Sequence, residues 1–188
     1  TTLFRSALLV RPLGPWLAAW ARPWQDRGMS ATPSKPLKIP ESVLVVLHDG
    51  QGQVLLIERA DQPGFWQSVT GSKDAVDEAL ATTVQREVFE ETGIPLGSAS
   101  VPWHACLDWQ LRNRYEIYPI WRHRYPPGVT HNTEHVFSLQ VPVTWPVRLS
   151  PREHLRWAWL PWRQAADQCF SPSNAEAILQ LPTRVAGF

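Results

Sequence analysis

The chain has 188 residues, 18 lysines and arginines against 17 aspartates and glutamates, and a formal net charge of +1. That length suits one domain with a real core, and the balanced charge excludes a protein that holds nucleic acid mainly by electrostatics. No stretch reaches the roughly 18 uninterrupted apolar residues that a membrane-spanning helix needs, so a soluble protein with no membrane partner is expected.

Residues 1–28 differ from the rest. Arg5, Arg11, Arg22 and Arg27 alternate with Trp16, Trp20, Trp24 and small apolar residues, and Asp26 is the only acid. A targeting leader has that composition. The preferred reading is a spurious or poorly ordered extension upstream of Met29, which opens a polar stretch typical of a mature start. Residues 1–38 are therefore set apart, and the folded domain is expected over 39–188.

From Ser42 the pattern sharpens. Ser42–Leu47 and Gln53–Glu58 are aliphatic runs around Asp49-Gly50-Gln51-Gly52, which predicts strand, turn, strand. Phe65–Val69 reads as a short strand and Asp74–Thr92 as a helix. Strands follow over Ser100–Leu107, Tyr115–Arg124, His135–Val141 and Arg156–Leu160, and a last helix over Asn174–Leu181. Strands and helices without regular alternation indicate an α+β protein, layered α/β/α around a mixed sheet. Cys106 and Cys169 match no ligand spacing and fit reduced thiols in a cytoplasmic protein.

The central helix carries the chemistry. It reads Gly71-Ser72-Lys73-Asp74-Ala75-Val76-Asp77-Glu78, then seven residues, then Arg86-Glu87-Val88-Phe89-Glu90-Glu91-Thr92-Gly93-Ile94. Asp74 is placed to cap the N-terminus. Gly93 can end the helix in the left-handed conformation, and Pro95 prevents its continuation. With Glu87 set at zero and about 100° per residue, Glu91 falls at about +40° and Glu90 at about −60°, while Val84 and Val88 fall at about +60° and +100°. The carboxylates thus flank an apolar stripe of Leu80, Val84 and Val88. A solvated acidic face is the ordinary explanation of such a run. It fits poorly here, because acids crowded beside an apolar seam are costly without a counter-charge. A divalent cation supplies that charge. Hard oxygen ligands suit Mg²⁺, with Mn²⁺ an alternative, and Mg²⁺ completes its shell with water and substrate phosphates.

This segment resembles the signature of the Nudix hydrolases: glycine, five residues, Glu, seven residues, then Arg-Glu-hydrophobe-x-Glu-Glu-x-Gly-hydrophobe. The match is complete from Arg86 to Ile94. Six residues separate Gly71 from Glu78 where the family has five, so the extra one lies in the loop and the helix register is kept. The resemblance implies a Nudix-type α/β/α sandwich and a Mg²⁺-dependent enzyme acting on a small-molecule polyphosphate. It also implies Glu87 and Glu91 as metal ligands, and Glu90 as a third ligand or as the base. Arg86 is implied to orient a glutamate, Glu78 or Glu90, and Glu78 itself is read as structural.

Segments outside the helix resemble one branch of that family, the bacterial members of folate biosynthesis that remove pyrophosphate from 7,8-dihydroneopterin triphosphate. They are Pro63–Ser72, Arg122–Glu134, Glu153-His154-Leu155 with Trp159-Leu160, and Ser173-Asn174. The resemblance runs from about Val43 to Leu181. It implies that Glu153 joins the metal cluster as ligand or base, against a salt-bridge role. Arg59, Arg122 and Arg124 are suited either to pair phosphate oxygens or to stand as strand-edge charges. Trp66 is a candidate for stacking on a pterin, although an aromatic after a strand more often belongs to the core. Asn132 either orders a loop or touches substrate. His123, His131, His135 and His154 have no metal-ligand spacing and read as hydrogen-bonding or surface groups. Two alternatives stay open: an enzyme acting mainly on dATP or on dinucleoside polyphosphates, and a catalytically dead nucleotide-binding module. The complete Glu87, Glu90 and Glu91 set argues against the second. The expected oligomeric state is a monomer or weak homodimer, with no nucleic acid partner.

Overall fold

A computed structural model describes residues 36–188. The expectations for residues 1–28 lie outside the described residues. Seven strands make one mixed sheet: β1 (Glu41–His48), β2 (Gln53–Arg59), β3 (Trp66–Gln67), β4 (Val69–Ser72), β5 (Cys106–Glu116), β6 (His131–Gln140) and β7 (His154–Pro161). The main path runs β3-β2-β1-β6-β5, with β4 added to β1 and β7 to β2. Only β1 and β6 are parallel, in register from Glu41 opposite Thr133 to His48 opposite Gln140; the other pairings are antiparallel.

The continuous aliphatic run of β1 is buried on both sides, as such runs demand. Val43, Val45 and Leu47 face one layer with Val84 and Val88 of α1 (Leu80–Thr92). Leu44 and Val46 face the other, against Ala165 and Ala166 of α2 (Trp162–Gln168) and Ala177, Ile178 and Leu181 of α3 (Pro172–Arg184). The expected α/β/α layering is therefore present. Cys106 packs against the first cluster and Cys169 against the second, and both are free thiols.

Several expected boundaries move for local reasons. The acidic helix starts at Leu80, not Asp74, and its N-cap, Ala79, makes no side-chain capping bond. Residues 73–79 instead fold onto themselves: the Asp74 N–H donates to Glu78 Oε2 at 2.7 Å, and Lys73 Nζ to the Val76 carbonyl at 2.8 Å. Tyr115–Arg124 is not one strand, since β5 ends at Glu116 and Pro119–Arg124 is a 3-10 turn with its proline in the first turn. Ser100–Leu107 holds a short 3-10 turn, Trp103–Ala105, before β5 begins. β5 bends at Gln110, whose φ of 54° lies within the register shift between Asp108 and Leu111. That is the geometry of a bulge. α2 answers to no predicted element. Among the described residues no helix is long and apolar enough to cross a membrane.

His48 closes β1 in the interior, 1% exposed. Its Nδ1 accepts the Gly50 N–H at 3.1 Å, and its ring meets Phe188 edge-on. Burial lowers its pKa to about 4. Because the unfolded chain takes up this proton near pH 6.5 and the folded chain only near 4, stability is full above pH 6.5 and declines as pH falls through that window. The His48 contribution lost between pH 7 and pH 5 is about 2 kcal/mol. Urea melts at both pH values should show His48→Asn losing less stability on acidification than the unaltered chain. Equal losses would contradict this assignment.

Candidate active site

α1 presents its carboxylates according to their angles around the helix. Glu87 and Glu91, beside the Val84–Val88 stripe, are 9% and 5% exposed, whereas the Glu90 side chain is 54% exposed. Glu87 is buried because β4 lets it approach. A Cβ built on Gly71 would fall 1.7 Å from the Glu87 carboxyl carbon, so only glycine leaves room for this carboxylate against the strand. One residue earlier on β4, the Thr70 N–H donates to Glu91 Oε2 at 3.2 Å.

Arg86 ties the acidic segment together. Its Nη1 donates to Glu87 Oε1 at 2.8 Å and approaches Glu90 Oε2 at 3.5 Å. Its Nε and Nη2 reach the two Glu78 oxygens at 3.2 and 3.3 Å, and Nη2 also donates to the Ser72 carbonyl at 2.9 Å. Glu78 occupies the position facing Arg86, so the extra loop residue is absorbed before the ion pair.

One guanidinium does not balance this charge. Burial, with the Glu91 charge second, pushes Glu87 up to about 8 against the pull of Arg86 and Lys38. Burial raises Glu91 as well, opposed by His154 and the Thr70 N–H, while the Glu153 charge pushes it further up. Lys38, with its backbone N–H on the Arg124 carbonyl at 2.8 Å, is a cation near the site that the sequence reading did not single out.

The second side of the site comes from β7. Glu153 precedes it, and its carbonyl accepts the Ala60 N–H at 2.8 Å, which fixes this corner to the end of β2. Donor atoms of Glu91, Glu153 and His154 lie within 4.8 Å of one another. His154 Nε2 stands 3.1 Å from Glu91 Oε1 without hydrogen-bond alignment, and neither buried ring nitrogen has an aligned hydrogen-bond partner among the described residues. A cation fits this arrangement on two counts: buried carboxylates short of positive charge, and a buried imidazole whose nitrogens have no aligned hydrogen-bond partner among the described residues. The sequence alone reads His154 as a hydrogen-bonding or surface group. Its adjacency to Glu153 was the available signal, and only the β2–β7 pairing turns it towards α1.

Glu90 is not brought into that group. Of the arginines, Arg59 donates to both oxygens of Asp61, at 2.8 and 2.7 Å, and Arg124 lies 3.8 Å from Asp61. The Arg59 guanidinium also lies over the Trp121 ring at 4.9 Å. Arg122 pairs with Glu116 and donates to the Ile117 carbonyl at 3.1 Å, bracing the 3-10 turn. Trp66 is partly buried beneath Arg156, 5.3 Å from its ring centre, and Arg156 in turn pairs with Glu58. Asn132 is buried, with Nδ2 donating to Ser42 Oγ at 2.6 Å and Tyr115 Oη at 3.1 Å.

The NUDIX domain model matches residues 38–181. The chain is 39% identical over 153 residues to the dihydroneopterin triphosphate diphosphatase of Escherichia coli, covering 81% of this chain and 98% of that protein. It is 37% identical over 139 residues to the Haemophilus influenzae protein of the same name, covering 73% of this chain and 84% of that one. The solved E. coli dihydroneopterin triphosphate pyrophosphohydrolase superposes with a TM-score of 0.71, over 78% of this chain and 97% of that structure.

The close approach of Gly71 to Glu87 yields a direct test. Gly71→Ala should lower turnover at least about tenfold by displacing the carboxylate, with circular dichroism still showing a folded chain. Full activity in a folded Gly71→Ala protein would mean that the buried position of Glu87 is dispensable.

Proposed function

The chain belongs to the Nudix family and is a pyrophosphohydrolase, and from that premise we propose that it converts 7,8-dihydroneopterin triphosphate to the monophosphate and pyrophosphate. The observation that carries this reading is the likeness to the E. coli diphosphatase over 98% of that protein's length, which takes in the segments outside the acidic helix as well as the helix itself.

We assign Glu87, Glu91 and Glu153 as the ligands of Mg²⁺, replaceable by Mn²⁺, with His154 as an added donor beside Glu91. When bound, the ion supplies positive charge to the phosphate oxygens and makes a nearby water more acidic. The residues of this chain do the rest. Arg86 holds Glu87 and Glu78 in place so that the ligand geometry exists before substrate arrives. Glu153, itself exposed, takes the proton of the attacking water, since its carboxylate stands with Glu91 and His154 and Glu90 is not brought into that group. Water oxygen bonds to phosphorus, the bridging P–O bond opposite breaks, and pyrophosphate leaves with the electron pair. Arg59 and Arg124 exchange part of their hold on Asp61 for phosphate oxygens, and Arg122 keeps their turn in shape. Asn132 and Trp66 belong to the part of the site that meets the rest of the substrate.

The proposal takes 39–188 as the catalytic domain of a cytoplasmic monomer or weak dimer that needs neither nucleic acid nor membrane. The near-balanced charge supports the last point.

Glu91→Gln keeps the shape of the buried side chain and removes its charge. Turnover should fall by roughly a thousandfold or more with the fold retained; near-normal turnover in a folded Glu91→Gln chain refutes the ligand assignment. Pyrophosphate release with and without Mg²⁺ should favour dihydroneopterin triphosphate over dATP and diadenosine tetraphosphate. Tenfold faster cleavage of dATP would overturn the choice of substrate, and no release from any of them would leave a binding module.

A further inference from the structure

On the face of the sheet turned to α2 and α3, the apolar core ends at Leu44 and Val136. Alternation along β1 and β6 continues that face with Ser42, Glu134 and Asn132, and all three are buried. Hydrophobic burial therefore gives way to a buried polar layer, an arrangement that is costly unless every group is paired.

The pairing is incomplete. Ser173, in the first turn of α3, donates to Glu134 Oε2 at 3.0 Å. Asn132, 1% exposed, uses its Nδ2 on Ser42 and Tyr115 and leaves Oδ1 without a hydrogen-bond partner among the described residues. Turning the amide over only moves the deficit to the nitrogen. Burial raises the pKa of Glu134 even with Ser173, Asn113 and Tyr115 as hydrogen-bond partners. This layer accepts more hydrogen bonds than the chain donates to it.

An aromatic cluster lies three residues before Ser173, the residue of α3 that donates to Glu134. Phe170, just before α3, stacks on Phe65 at 4.7 Å and meets Trp121 of the 3-10 turn at 6.0 Å. Trp121 carries the Arg59 guanidinium over its face, which joins this cluster to the proposed phosphate-binding arginines. A flat heterocycle attached to a phosphate chain suits that order of surfaces: arginines, aromatic rings, then buried acceptors.

The edge it must show follows from the chemistry of a carboxylate, which accepts two parallel donors. A 2-amino-4-oxopyrimidine ring offers that pair, the ring N–H and the exocyclic amino group. Adenine offers a donor beside an acceptor, and a carboxylate facing that acceptor is repelled. We propose that Glu134 is the specificity-determining residue of this site, accepting the donor pair of a 2-amino-4-oxopyrimidine ring, with the Asn132 amide meeting a further polar atom of the same ring. This rests on the reading of dihydroneopterin triphosphate as substrate. Pterin and guanine share the edge, so Glu134 separates both from adenine, and the group that joins ring to triphosphate separates them from each other.

Two measurements test it. In Glu134→Gln, kcat/KM for dihydroneopterin triphosphate should fall about 100-fold, mostly through KM, while the inhibition constant of dATP changes less than about threefold. Comparable losses for both would make Glu134 a structural residue and overturn the assignment. With the unaltered chain, where folding is not in question, dGTP should inhibit at least about tenfold better than dITP, which lacks only the 2-amino group. Equal inhibition also overturns it. Failure of the unaltered chain to hydrolyse dihydroneopterin triphosphate sinks the proposed function and this inference together. Hydrolysis with no selective loss in Glu134→Gln sinks only the inference.

Discussion

Two carboxylates, Glu87 and Glu91, are held inside the protein on one turn of α1, and the rest of the site is organised by the cost of keeping them there. Neither reaches its place by chance of packing. Gly71 leaves the only room for the first, and the Thr70 N–H meets the second, so β4 is shaped around them. Arg86 compensates part of the charge and does so rigidly, bridging Glu78, Glu87 and the Ser72 carbonyl. Burial shifts both acids upward, and in the proposed reaction a divalent cation and a polyphosphate would neutralise what Arg86 leaves uncompensated.

The sheet divides the labour. One face carries α1 and the carboxylates, and the β2–β7 pairing delivers Glu153 and His154 to its edge through the opposition of Arg59 and His154. The other face carries the polar layer around Glu134, where α3 begins. β4 connects the two because its residues alternate: Gly71 towards Glu87, and Thr70 and Ser72 towards the opposite side. Charge on one side and hydrogen-bond acceptors on the other would let a single small strand place the phosphates and the ring of one substrate.

The acidic helix was legible because its signal is local. Glu87, Glu90 and Glu91 stand at fixed angles to Val84 and Val88, which set the carboxylates beside the buried stripe, although Glu90, the farthest from it, proves exposed. The continuous aliphatic run of β1 was legible for the same reason. The start of the helix was not, because Asp74 satisfies a capping pattern locally while Glu78 is drawn away by Arg86, eight residues along. β5 was misplaced because an exposed edge strand with a bulge has little apolar periodicity, and Pro119–Arg124 mimicked a strand by its aromatic and aliphatic content. His154, Asn132 and Glu134 gave the weakest signal of all. Their environments are made by partners such as Glu91, Ser42 and Ser173, far away in the chain and brought close only by the sheet.

The most direct measurement is a crystal of the full chain grown with Mn²⁺ and an uncleavable triphosphate, read by the anomalous scattering of the metal. The account requires a manganese peak in contact with carboxylate oxygens of Glu87 and Glu91, with phosphate oxygens on its open side. A map with no peak there, or with manganese bound only at surface acids away from α1, would contradict it.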